Sequence, residues 1–246
     1  MEFFSGWHQP SDAAHFRRMF VSVTRLLNRK STLKFQEDAQ IIVDSGAFNE
    51  LRKFGRYRHS VEQYGATLKR LKALFGEHLI AAVTQDYMCE PFMLDITGLT
   101  VQDHQRLTVE RYDALLRCDT GCYILPVLQG YAPDDYVQHL RMFGDRLTPG
   151  MWVGVGSVCK RNGNPYAIEN VLLAIHKERP DLMLHGFGLK KTALSSGIVW
   201  KLLHSCDSLA SSFHERMNGR SPNDWRAADI YAKEIERSPV QWPLFY

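Results

Sequence analysis

An α/β protein of the (β/α)8 TIM-like barrel class is what this 246-residue sequence predicts, on three observations. Short apolar runs recur along the chain, each ending in a polar or glycine-containing turn. Amphipathic stretches of helical period separate them. The runs are continuous rather than alternating, which is how a strand covered on both faces reads, so a parallel sheet is expected. With about seven such units, a closed barrel is the first expectation and an open doubly wound sheet the second. No GxGxxG or GxxxxGK(S/T) follows the early strands, which counts against a nucleotide-binding open sheet.

In chain order the predicted strands are FVSV (20–23), IIVDSG (41–46), LIAAVTQD (79–86), YILPVLQG (123–130), WVGVGS (152–157), LMLHGFG (182–188) and CDSLASS (206–212). The helices between them are read from apolar residues three and four apart in SVEQYGATLKRLKALFG, TVQDHQRLTVERYDALLR, APDDYVQHLRMFGDRL and PYAIENVLLAIHKERP. No repeat, low-complexity tract or linker interrupts the pattern, so one domain over residues 1–246 is expected.

Composition bounds the possibilities. Hydrophobic content of 45% and charged content of 23% are those of an ordinary soluble protein. No apolar run approaches a membrane span, and MEFFSGWHQP lacks the basic start and apolar middle of a signal peptide, so no membrane role is expected. Five cysteines (Cys89, Cys118, Cys122, Cys159, Cys206) at irregular spacing favour free thiols in a reducing cytoplasm. CDTGC has no second Cys or His pair at zinc-finger spacing, so no metal is expected, and no cofactor. A net charge of +3 permits a polyanionic partner without demanding one.

In a parallel barrel the carboxyl ends of all strands share one face. Those ends carry Asp44-Ser45-Gly46, Gln85-Asp86, Gln129-Gly130, Gly154 and Gly156-Ser157, His185-Gly186 with Gly188, and Asp207-Ser208. Each alone reads as a cap or turn. Repetition at nearly every strand end is more than capping needs, and points to a shared pocket.

Read in order, these ends resemble the tRNA-guanine transglycosylase superfamily, and most closely its DNA-acting 7-deazaguanine branch, DpdA. VDSGAF resembles the family's Asp-Ser-Gly-Gly-Phe segment, TQDYMCEP its base-reading Asp segment, and VLQG its Val-Gln-Gly. GVGSV resembles Gly-Gly-Leu-Ala-Val, LHGFG a Met-Gly-Val-Gly-like turn, and CDSLASS the nucleophile segment. The zinc module of the tRNA enzymes, three cysteines and a histidine, has no counterpart after Asp207. Asp86 and Cys89 are separated by two residues where the family has one. SVTRLLNRKS and SSFHERMNGRSPNDWRAADIYAKEI look instead like the DpdA branch.

The resemblance implies a DNA guanine transglycosylase that exchanges guanine for a 7-deazaguanine such as preQ0. Asp207 would be the nucleophile and Asp44 the general acid/base. Asp86 and Gln129 would read the base with Ser45, Gly156 and Ser157, while Gly130, Gly156 and Gly186 keep the walls thin. Tyr87, Phe187 or Phe48 are candidates to stack on it; His185 is read as structural. Cations Arg25, Arg29, Lys30, Arg52, Lys53, Arg56, Arg58, Lys160 and Arg161 are expected around the mouth as DNA contacts, with Phe54 and Tyr57 interleaved among them. The partners implied are DNA, the free base, and a helper protein or a second copy. The setting implied is the cytoplasm of a bacterium or of a phage's host. Alternatives are an RNA-acting enzyme, a catalytically idle nucleic-acid binder, and an unrelated barrel glycosidase using Asp44 and Asp207.

Overall fold

The computed structural model describes residues 1–7 and 9–237. Its strands are β1 (Glu2–Gly6), β2 (Arg18–Ser22), β3 (Gln40–Asp44), β4 (Leu79–Val83), β5 (Tyr123–Leu125), β6 (Val127–Leu128), β7 (Trp152–Val155), β8 (Met183–Gly186) and β9 (Leu203–Ser208). All neighbours pair in parallel, in the order β5-β4-β3-β2-β1-β9-β8-β7-β6.

Only Pro126 separates β5 from β6. Proline has no N–H for a ladder, and the chain breaks there. The Leu125 carbonyl accepts from Thr84 N at 3.1 Å, toward β4, whereas the Pro126 carbonyl accepts from Gly154 N at 2.8 Å, toward β7. The two ends of the sheet are therefore halves of one strand, and the sheet is a nearly closed α/β barrel.

The helices are α1 (Ala47–Phe54), α2 (Val61–Phe75), α3 (Pro91–Thr97), α4 (Val101–Leu116), α5 (Pro133–Phe143), α6 (Pro165–Glu178), α7 (Lys191–Leu194), α8 (Gly197–Leu202), α9 (Ala210–Met217) and α10 (Trp225–Arg237). Reciprocal capping boxes start two of them: Ser60 with Gln63 on α2, and Thr100 with Asp103 on α4. Among the described residues no helix is long and apolar enough to cross a membrane.

Two strands differ from expectation. EFFSG offers only two adjacent apolar residues, too short a run to read, yet it forms β1 and closes the ring between β2 and β9. CDSLASS does not run as a strand from 206 to 212. β9 starts at Leu203, and Ala210 already opens α9. Asp207 therefore stands at the carboxyl end of its strand, on the face shared with Asp44.

Side chains alternate across the barrel wall. Ile41, Val43, Met19, Val21, Leu184 and Cys206 face the helices in the large outer core. Phe4, Phe20, Ile42, Ala81, Val83, Leu125 and Val127 fill the interior, with Trp152 and Phe187 packed on them. Burying each larger apolar side chain contributes about 1.5–3 kcal/mol. This plug is also the floor beneath the carboxyl-end face.

Candidate active site

Ile42 points into the barrel, so Asp44, two residues on, does too, one layer higher. Gly46 then turns the chain into α1 at φ 80, a left-handed conformation that favours glycine, and its N–H donates to Asp44 Oδ2 at 3.0 Å. The same parity carries Val127 to Gln129 and Ser205 to Asp207. Asp86 arrives by the turn that follows β4.

These residues meet. A cavity of about 150 Å³ is lined by Asp44, Asp86, Gln129, Gly156, Ser157 and Asp207, with Phe20, Val83, Met88 and Phe187 as apolar walls and Phe48 and Cys159 beside them. That is below the roughly 300–1,000 Å³ of drug-sized sites, on the scale of one nucleobase.

Three carboxylates in one small space cannot all ionise freely. Burial, reinforced by the Asp86 charge, lifts Asp44 from its ordinary 3.8 to about 7, although part of its surface still opens to the cavity. Asp86 rises to about 6, chiefly by burial and against the hydrogen bond from Gln129. Asp207 accepts from Gly188 N at 3.1 Å and from His185 Nε2 at 3.3 Å, both on Oδ1.

Gln129 is held at both ends of its amide. Its Nε2 donates to Asp86 Oδ2, and its Oε1 accepts from Ser157 Oγ at 2.7 Å. Ser157 Oγ also lies 2.9 Å from Glu90 Oε2 and accepts from Cys89 N at 2.8 Å. One hydroxyl hydrogen cannot serve two acceptors. With the Gln129 amide oriented as it stands, the count closes if Glu90 is protonated and donates to Ser157, the direction in which burial pushes the Glu90 carboxyl. These bonds hold Ser157 at φ 54, in the left-handed region a side chain rarely adopts.

The other expected base contacts divide. A Cβ on Gly156 would lie 2.2 Å from Gln129 Nε2, so this glycine makes room for the amide. Its N–H is engaged by the Leu128 carbonyl at 2.9 Å and faces no base. Gly130 and Gly186 are not at the wall. Added Cβ atoms there would meet Asp135 and Tyr136 of α5, and Leu189, respectively. Ser45 is buried behind Asp86, 3.4 Å from its Oδ1. Phe187 and Phe48 line the cavity, whereas Tyr87 is buried edge-on against Tyr57 and His104.

Every cation named from the sequence follows β2, β3 or β7 in the chain, although the Arg29 carbonyl is held by Arg70 in the second half of α2, away from the cavity. Arg52 and Lys160 stand over the cavity-lining Phe48 ring, at 5.6 and 5.2 Å. Arg52, Lys53, Phe54 and Arg58 line a neighbouring groove of about 570 Å³ that reaches Thr24, next to Arg25. Arg29 and Lys30 follow in the next loop, and Arg56 sits in the loop after α1. Two of the cations are already engaged. Arg58 pairs with buried Glu50 at 2.7 Å, and Arg161 donates to the Tyr131 carbonyl at 2.6 Å. Tyr57 is no exposed platform: it is buried, and its hydroxyl donates to the Asp86 carbonyl at 2.8 Å.

Sequence reasoning missed one residue of this neighbourhood and the contacts of another. Glu90 lies four past Asp86, in TQDYMCEP, and reads as a helix cap before Pro91. His185 was expected to be structural, yet it touches Asp207. The signal for it is positional, since Leu184 faces outward and His185 must face in.

No curated protein gives a significant match to the chain. A family model does: DpdA, described as DeoxyPurine in DNA protein A, matches residues 1–228. That span holds every strand and each of the carboxylates around the cavity, and so the chain belongs to the DpdA family, the DNA-acting branch of the tRNA-guanine transglycosylase superfamily.

Proposed function

We propose that the protein exchanges guanine in DNA for a 7-deazaguanine base, preQ0 or a derivative, through a covalent bond between Asp207 and deoxyribose. The observation that carries this reading is the base-sized cavity on which Asp44, Asp86, Asp207 and the fixed Gln129 amide converge.

The target guanine leaves its stack at a cost of a few kcal/mol and enters the cavity. Asp86 accepts from the base's N–H edge, and the second N–H of Gln129 donates to its carbonyl. The Asp207 carboxylate attacks C1′ as the C1′–N9 bond breaks and its electron pair leaves with the base. Asp44, which its burial keeps about half protonated near neutrality, gives its proton to the departing guanine. The incoming base returns a proton to Asp44, and its N9 displaces Asp207 from C1′. Phosphate contacts from Arg25, Arg29, Lys30, Arg52, Lys53, Arg56 and Lys160 supply affinity.

Incubation with guanine-containing DNA and labelled preQ0 tests the reading, with tRNA run in parallel. Label in DNA, and an adduct lost in Asp207→Asn, is the expected result. Label in tRNA alone moves the substrate to RNA. An equal adduct yield from Asp207→Asn refutes the nucleophile.

A further inference from the structure

Asp207 is met by two donors, and both choose the same oxygen. His185 Nε2 lies 3.3 Å from Oδ1, and Gly188 N donates to Oδ1 at 3.1 Å. Oδ1 faces the protein. Oδ2 accepts from neither.

Behind His185 the bonds continue in one direction. Trp152 Nε1 can only donate, and it does so to Ser205 Oγ at 2.8 Å. Ser205 Oγ lies 2.9 Å from His185 Nδ1. Trp152 takes one of the two lone pairs of Ser205 Oγ, and because the Asp207 carboxylate against Nε2 can only accept, the Ser205 hydrogen is the one that points to Nδ1. The neutral imidazole then carries its proton on Nε2, the atom that faces the carboxylate. A carboxylate accepts and does not donate, so every hydrogen in the run Trp152–Ser205–His185–Asp207 has a partner.

The ring has nowhere to turn. His185 is fully buried, stacked on Phe20 at 5.7 Å and edge-on to Phe4, Trp152 and Phe187. An apolar residue would fill this plug equally well. A histidine there, with both nitrogens bonded, is what packing alone does not ask for.

We propose that His185 is a positioning residue: it holds Oδ1 of Asp207 and leaves Oδ2 as the oxygen that attacks C1′. The proposal rests on Asp207 being the nucleophile. When Oδ2 bonds to C1′ and the electron pair of the C1′–N9 bond departs with guanine, Oδ1 becomes the carbonyl oxygen of the sugar ester. His185 and Gly188 still donate to it. When N9 of the incoming base bonds to C1′, the C1′–Oδ2 pair returns to the carboxylate, and the same donors stabilise the charge that reappears. One pair of donors therefore serves both halves of the exchange.

Two measurements on the full chain test this. The first needs no DNA: imidazole ¹H–¹⁵N correlation spectra, with the His185 signals assigned by their loss in His185→Phe. The Nε2–H tautomer is expected, with Nδ1–H gaining population in Ser205→Ala. An Nδ1–H tautomer in the unaltered protein overturns the proposal. The second is single-turnover adduct formation and breakdown with a guanine-containing single-stranded oligonucleotide and preQ0. His185→Phe keeps an aromatic ring in the plug; it should slow breakdown, where the carboxylate charge reappears, about ten- to a hundredfold, the loss typical of a hydrogen bond to a charged group, and should slow formation through the lost orientation of Oδ2. His185→Gln, with an amide N–H in reach of Oδ1, should recover most of the rate, and Ser205→Ala should lose severalfold. Unaltered formation and breakdown in His185→Phe, or in Ser205→Ala where the former does not fold, overturns the proposal. Absence of any adduct from the unaltered protein sinks the transglycosylase reading instead, and the tautomer alone then decides whether His185 holds Asp207.

Discussion

Replacing Asp44 with Asn should flatten the dependence of stability on pH, and the size of the effect follows from the site. Burial and the Asp86 charge lift the folded-state pKa of Asp44 from 3.8 to about 7. The folded protein thus keeps a proton that the unfolded chain releases near 3.8, so stability is lost as pH rises through this interval and levels off above about 7. Each unit of the interval is worth ~1.4 kcal/mol, and roughly two units lie between about pH 5 and pH 7. Asp86 titrates in the same space and takes part of that change, which leaves ~2 kcal/mol for Asp44. For a chain of this length the corresponding shift in Tm is about 4–8 °C. Thermal or urea unfolding of both proteins at about pH 5 and pH 8.5 reads the difference directly. The original protein should lose ~2 kcal/mol more than Asp44→Asn across that range. Parallel pH profiles would show that Asp44 is hydrated and ordinary, and would remove it as an acid at neutral pH.

Asp44 also predicts the shape of the reaction's pH profile: guanine release should fall above about pH 7 as its proton is lost, and Asp44→Asn should abolish that limb. In Gly156→Ala the new methyl falls on the Gln129 amide; exchange should drop by about tenfold or more and stability by about 1–3 kcal/mol, and wild-type exchange would contradict the geometry. Glu90→Gln keeps a donor for Ser157 and should stay within about threefold of the original activity, whereas Glu90→Ala should not; equal losses would mean that Glu90 is ionised. Ile42→Ala empties part of the barrel plug and should cost about 2–5 kcal/mol in urea unfolding.

Much of this molecule is legible in its sequence because a strand's inner and outer faces alternate. Once Ile42 is inside, Asp44 must be, and Gln129, Gly156 and Asp207 follow by the same parity from Val127, Gly154 and Ser205. The barrel class was therefore readable from continuous apolar runs. β1 was not, since two phenylalanines make no run, and its place is set by pairing with both β2 and β9. The His185 contacts were hidden for another reason. His185 and Ser205 are brought opposite each other only by the register of β8 on β9. Trp152 joins them from a third strand, and no local pattern marks such a triplet. The partners of a charge run are hidden in a similar way. RKFGRYR reads as a basic patch, but Glu50, earlier in the chain, neutralises Arg58, and Tyr57 turns inward beneath Asp86.

The single hydrogen on Ser157 gives the run from Glu90 to Asp86 a polarity. Reverse it, and the Gln129 amide would show its oxygen to the cavity in place of its N–H. With Glu90 protonated, the proposed pocket offers a donor beside an acidic acceptor, the complement of a purine with a 6-oxo group and a 2-amino group. Adenine, with an amine at the 6-position and no hydrogen on N1, would set donor against donor there. On the proposed reading, the choice between the two purines of DNA is then made by a proton on a carboxyl group that never meets the base.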